Sequence, residues 1–283
     1  VIDGVVGSWH FDEGSGTTAY DTSGNNNDGT LTNDPTWVDG KFGKALQFDG
    51  SNDYVEVPDS ASLDITDEIT IEAWVKLNDN SDEFVVEKAD SSTTVTYRLW
   101  VGGDGYWMFR LYDTGGDSHT VVDDTWPVQT GVWHHIVGVY NGNDMILYKN
   151  GEVLKTAAVG SFTIRTNDKN LWMGRDWYGN YLNGTIDEVR IYNKALTTDE
   201  ISDLYNNYGY TTENYPNKVL VRKFADPEPT YSVGVEEVSN LTITINSPLN
   251  QTYYNTSSIT PKFKVTSVNS ATFHVKVYDD GNL

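Results

Sequence analysis

Apolar and polar residues alternate with a period of two over most of the first two hundred positions, which is the pattern of half-buried strands. Between Ile69 and Leu77 the set Ile69, Ile71, Ala73, Val75 and Leu77 interleaves with Thr70, Glu72, Trp74 and Lys76. The same pattern predicts strands at residues 5–11, 45–48, 54–57, 84–88, 94–101, 107–112, 133–140, 144–149 and 170–173. Asn141-Gly142 and Asn150-Gly151 are strong two-residue turn signals. Asp49-Gly50-Ser51-Asn52 reads as the turn of a hairpin joining 45–48 to 54–57.

Residues 183–196 carry one long strand, with Ile186, Glu188, Arg190 and Tyr192 alternating against Asp187, Val189, Ile191 and Asn193. Straight after it, Thr197 and Glu200 have the spacing of a capping box. Ile201, Leu204, Tyr205 and Tyr208 then fall at helical spacing, and Gly209 supplies a stop. Regularly spaced strands with a single short helix argue for a two-sheet antiparallel sandwich or jelly roll.

A chain of 283 residues has room for one large all-β domain and part of another. Its net charge of −22 makes nucleic acid and anionic membranes poor partners and favours cations, calcium above all. There is no cysteine, so no disulfide framework and no thiolate chemistry. No apolar run reaches the roughly 18 residues that span a bilayer, so direct membrane insertion of this segment is not expected. Sequons at Asn183, Asn240, Asn250 and Asn255 point to a secreted or surface glycoprotein. Past Gly209 the texture turns polar, and Asp226-Pro227-Glu228-Pro229 reads as a linker. We divide the chain into a domain at 1–209, an extension and linker at 210–238, and the incomplete start of an immunoglobulin-like β-sandwich at 239–283. The abrupt ends suggest a piece of something longer.

Residues 183–201 resemble the closing segment of laminin-G-like jelly rolls in the concanavalin A-like lectin/glucanase superfamily. Residues 7–31, 43–64, 69–77 and 133–154 are similar in the same order, and residues 231–237 resemble a segment that follows such domains in archaeal surface proteins. This resemblance implies an extracellular, surface-located binding module for a glycan or cell-surface polymer, or an adhesive or assembly role among neighbouring subunits. It further implies a calcium ion at Asp187, with backbone oxygens from the first-strand loop and the Asp49 turn. Asp21, Asn27 and Asp28 lie in the long polar loop that needs organising, so they complete the expected metal set. By similarity to the pentraxin sandwich, Asp176 and Asp90 mark a ligand-bearing rim. Together with Arg175, Trp177 and Tyr178 they form a ring-and-charge group suited to sugar hydroxyls.

No catalytic residue is expected. Glu68 and Glu72 share a strand face, but four residues of rise place them ~13 Å apart, outside the spacing of paired glycosidase carboxyls. His134 and His135 are adjacent and so point to opposite faces.

Overall fold

The structure is a computed structural model that describes residues 4–89, 91, 95–125 and 127–206. Asp90, Tyr208, Gly209, the linker, the immunoglobulin-like stretch, the archaeal-like segment and the sequons at Asn240, Asn250 and Asn255 lie outside the described residues.

Among the described residues sixteen strands form two sheets, every pairing within them antiparallel. The first sheet runs β14 (Glu152–Ala158), β13 (Asp144–Lys149), β12 (His134–Tyr140), β7 (Ile69–Leu77), β16 (Asn183–Tyr192), β5 (Lys44–Asp49), β4 (Thr36–Asp39). In it β1 (Val5–Trp9) pairs with the second half of β16, beyond the part held by β5. The second sheet runs β11 (Ser118–Val122), β10 (Trp107–Tyr112), β9 (Tyr97–Val101), β8 (Glu83–Lys88), β15 (Leu171–Met173), β6 (Tyr54–Val57), β3 (Gly29–Thr32), β2 (Thr18–Ala19).

The core fills the space between the sheets. Ile69, Ile71, Ala73, Val75 and Leu77 supply one wall, Leu99, Trp107, Phe109, Leu171 and Met173 the other. Trp9 and Phe11 are both fully buried there, although the strand ends at Trp9. His134 faces inward, edge-on to Trp107, while His135 faces outward beside Trp74. Inward burial holds His134 below the usual histidine value, although its ring contacts the Gln129 carbonyl.

The helix α1 (Thr198–Asn206) closes the outer face of the first sheet. Its capping box forms as expected, with Glu200 N donating to Thr197 Oγ1 (3.2 Å) and Thr197 N to Glu200 Oε2 (2.7 Å). Ile201 and Leu204 pack with Val137, Val139, Tyr148 and Tyr192, and Tyr205 stacks on Trp74 at 5.5 Å.

One local expectation is corrected, and one strand carries an irregularity. β5 and β6 are not a hairpin, because they belong to different sheets and the 49–53 turn carries the chain across the sandwich. Gly50 N donates to Leu182 O, which ties that turn to the strand entering from the opposite sheet. Asp187 lies in the middle of its strand, at a β-bulge where Glu188 takes φ 53°, and the bulge breaks the register against β7.

Candidate functional site

On the outer face of the second sheet the strand registers place seven residues in one transverse row. Thr120, Arg110, Arg98, Glu87, Trp172, Glu56 and Thr30 are each directly opposite the next. Six strand spacings make the row ~29 Å long. Each member sits at the outward phase of its strand, with inward residues such as Leu99, Phe109 and Leu171 beside it in the core.

The row is open at its ends and deep at its middle. Arg110, Trp172 and Glu56 are half-buried, whereas Arg98 and Glu87 are buried. Arg98 and Glu87 approach to 2.9 Å, but the Arg98 Nε–H does not point along the contact, so this is a charge pair without a formed hydrogen bond. Burial pushes the Glu87 carboxyl up to about 7, against the pull of Arg98 and with a further push from Asp176. Toward the other end, Glu56 Oε1 accepts from Trp172 Nε1 (3.1 Å) and Asn170 Nδ2 (2.9 Å). The Arg175 guanidinium lies 4.5 Å from the Trp172 ring, 4.7 Å from Tyr54 and 5.4 Å from Tyr181. These contacts fix a planar ring, a carboxylate and a guanidinium in one patch.

The loop after β15 borders this patch, and it holds four of the expected ligand residues. Arg175 is placed as described, and Tyr178 projects with 74 % of its surface exposed. Trp177 is half-buried, packs edge-on to Tyr178 at 4.8 Å, and donates its backbone N–H to Glu87 Oε1 (3.3 Å). Asp176 has another task. It is buried, and its oxygens accept from Tyr178 N (2.9 Å), Asn180 N (2.8 Å) and Asn180 Nδ2 (3.0 Å), closing its own loop. A carboxylate so engaged orders the loop and does not reach out to hydroxyls.

The expected metal ligands do not form one shell. Asp21 bridges to Trp9 on the side of β1 away from β16, two strand spacings or ~10 Å from the strand of Asp187. Its oxygens accept from Ser8 N (2.9 Å), Ser23 N (2.8 Å), Ser23 Oγ (2.7 Å) and Asn27 N (2.9 Å). Asn27 is buried, donating to Val6 O (2.7 Å) and Ser62 Oγ (2.9 Å), and Asp28 Oδ1 accepts from Asp21 N (2.8 Å). Asp49 caps its turn through Ser51 N and Asn52 N, which lowers its pKa. It pairs with Asn183, four residues or ~13 Å along β16 from Asp187. The polar loop is thus organised by hydrogen bonds. Asp187 instead meets the 40–44 turn, where Phe42 N donates to its Oδ2 (2.9 Å) and Lys44 N donates to Asp12 Oδ1 (2.9 Å). Gly40 and Gly43 leave no room for a Cβ against these two carboxylates. Among the described residues no three His, Asp or Glu side chains gather closely enough to hold a metal ion.

A laminin G family model, described as concanavalin A-like lectin/glucanases superfamily, matches residues 49–202. The chain belongs to that superfamily. No curated protein matches this member in sequence. Among solved structures it is similar to the binding domain of Paraclostridial mosquitocidal protein 1, with TM-score 0.58 and 21 % identity over 78 % of this chain. It is similar to domain 4 of the GH43 extracellular arabinanase AbnA of Geobacillus stearothermophilus, solved with arabinotriose, with TM-score 0.59 and 23 % identity over 71 % of this chain. The receptor-binding domain of botulinum neurotoxin D gives TM-score 0.56 and 15 % identity over 87 %. The superfamily member spans 98 % of the arabinanase domain but only 55 % and 64 % of the two toxin domains. These likenesses establish the shared fold.

As a glucanase the member would need two reachable carboxyls. Glu72 is enclosed by Arg190 Nη1 (2.8 Å), His135 Nε2 (3.0 Å) and Tyr192 Oη (3.2 Å), and Glu68 accepts from Ala195 N (3.2 Å). Burial would raise the Glu72 carboxyl, but Arg190 and His135 outweigh it and hold the group below its ordinary value. A second carboxyl pair lies at the β7–β8 rim. Burial, and then the hydrogen bond and charge of Asp79, push Glu83 up to about 9, while the hydrogen bond from Glu83 holds Asp79 at about 2. Asn183 locks this pair, its N donating to Glu83 Oε2 (2.6 Å) and its Nδ2 to Asp79 Oδ2 (2.9 Å). The Asn183 sequon is therefore part of a packed rim, its amide already engaged.

The rim pair makes a pH prediction. Glu83 keeps a proton that the unfolded chain releases above its ordinary 4.5, so its contribution to stability falls as pH rises from 4.5 toward 9. Asp79 has the opposite sign: its contribution is fully present above 3.8 and is lost as pH falls from there toward about 2. Glu83→Gln keeps a hydrogen-bond donor for Asp79 at every pH. Melting curves at about pH 5 and pH 8.5 should show a smaller difference for the variant than for the parent; equal differences would show that the pair does not share a proton.

Proposed function

We propose that this jelly roll is a non-catalytic glycan-binding module of a secreted or surface-anchored protein, and that glycans lie along the outer face of its second sheet. The transverse row carries the reading. An extended polymer needs a long, shallow track with ring faces for its apolar flanks and fixed polar groups for its hydroxyls. Trp172 and Tyr54 provide faces, Glu56 an acceptor and Arg110 a donor, all on strands, and Arg175 adds a second donor from the bordering loop. Similarity to an arabinanase domain that holds arabinotriose, and to toxin binding domains, supports the same reading. The arabinanase is extracellular, which supports the location.

Non-catalysis rests on access. Glu87 has the raised carboxyl of an acid catalyst, but it has no exposed surface and is paired with Arg98. Calcium stays in the proposal only at Asp187 and Asp12 on the 40–44 turn, since Asp21, Asn27, Asp28 and Asp49 are occupied elsewhere. Purified protein should be offered a panel of neutral and acidic polysaccharides, with binding, chain length and melting temperature measured with and without EDTA. The proposal expects retention of at least one polymer, no shortening of any, and a lower melting temperature in EDTA. Retention of none would leave a structural spacer as the better reading. Cleavage lost in Glu87→Gln or Glu56→Gln would overturn the non-catalytic assignment, and an unmoved melting curve would remove calcium.

A further inference from the structure

We infer that the glycan held on this face is anionic, and that Arg110, backed by Arg98 across the Trp100 ring, binds its carboxylate or sulfate group. The inference rests on the second sheet's outer face being the glycan site. Arg98 and Arg110 are directly opposite on neighbouring strands, an arrangement that sets like charges against each other at a cost. Both guanidiniums lie over the same ring, at 5.4 Å and 5.1 Å from Trp100. Among the described residues one carboxyl, Glu87, serves this pair, and it reaches only Arg98. Burial and Asp176 push Glu87 upward to about 7, so near neutral pH it neutralises even that arginine incompletely.

Arg110, half-buried, is the more exposed member. Its Nε donates to Thr120 Oγ1 (2.7 Å), which leaves the two terminal nitrogens of the fork to face outward. Among the described residues no carboxylate stands within ion-pairing distance of Arg110 or of Arg175 further along the row. The whole chain has 41 acidic residues against 19 lysines and arginines, yet neither of these two arginines draws one of them into an ion pair among the described residues. An arginine pair held against its own repulsion, over a ring and with a planar fork presented, is built to receive an oxyanion bidentately. The sheet stores a local positive surplus that a bound anion would discharge.

The charge of the chain also makes the test sharp, because a net −22 opposes nonspecific attraction of polyanions. Binding should be compared for polygalacturonate and its fully methyl-esterified form, and for dextran sulfate and dextran. One acidic polymer is expected to bind at least tenfold tighter than its neutral counterpart, and which pair shows it distinguishes carboxylate from sulfate. Arg110→Gln should abolish that preference while leaving the melting temperature close to the parent's, and Arg110→Lys should restore only part of it. Equal binding of charged and neutral forms, or a preference that survives Arg110→Gln, would overturn the inference while leaving the glycan site standing. Binding of none of the four, and of no other polysaccharide, would remove the site itself and this inference with it.

Discussion

Replacing Arg190 by alanine is expected to destabilise the domain more than any other surface-directed change in the first sheet. Arg190 is buried, with Nη1 on Glu72 Oε1 (2.8 Å) and Nη2 on Glu188. The two carboxylates hold its guanidinium charged, overcoming a burial that would otherwise favour the neutral form. His10 Nδ1 meets Glu188 Oε2 at 2.8 Å and His135 Nε2 meets Glu72 Oε2 at 3.0 Å, so the network ties β1, β7, β12 and β16 together. Removing the central cation leaves two buried carboxylates without their main partner. Breaking a buried pair in this way costs about 3–5 kcal/mol, which lowers the melting temperature of a domain this size by ~10 °C. A thermal melt reads this directly. A shift below ~2 °C would mean that water or rearranged histidines take over the arginine's role.

The second large effect is expected on binding. Trp172 stands in the middle of the open half of the row, between Glu56 and Glu87, and its ring carries the Arg175 guanidinium. Trp172→Ala removes a ring face and leaves Glu56 without one of its two donors. An aromatic at the centre of a binding patch is worth ~2 kcal/mol or more, which is roughly a 30-fold loss of affinity. Tyr178→Ala, at an exposed tip, should cost less than about fivefold, since a rim ring excludes less water. Because Trp172 is only half-buried, the folded state should survive its loss.

Much of the fold was legible because strand alternation and the capping box are local signals. The strands at Ile69–Leu77, Trp107–Tyr112 and Asp144–Lys149 agree with their alternation to the residue. What escaped had weak or non-local causes. Thr18–Ala19 is two residues long, and Glu152–Ala158 is an edge strand with no fully buried position, so neither carries an apolar alternation. The turn at Asp49 looked like a hairpin because sequence shows the bend but not which sheet each arm joins. The bulge at Glu188 reverses the phase of its strand, so that Ile186 faces the core while Arg190 and Tyr192, of the same parity, face outward, and no residue type announces it.

The site was legible only at one border. Arg175, Trp177 and Tyr178 stood out because they are neighbours in the chain, and Asp176 was misjudged because a loop-capping carboxylate and a ligand-binding one look alike in sequence. Glu56, Glu87, Arg98, Arg110 and Trp172 come from five separate strands. Each stands in the polar phase of its own alternation, which was readable, but their alignment depends on strand registers that no local pattern fixes.

The most direct test of the glycan face is affinity electrophoresis of the parent and of Trp172→Ala, side by side, in gels cast with and without each polysaccharide of the panel. The parent should be retarded by at least one polymer, and Trp172→Ala, with an unchanged melting temperature, should run as it does in the plain gel. Equal retardation of the two proteins would contradict the account and move the binding surface off the second sheet.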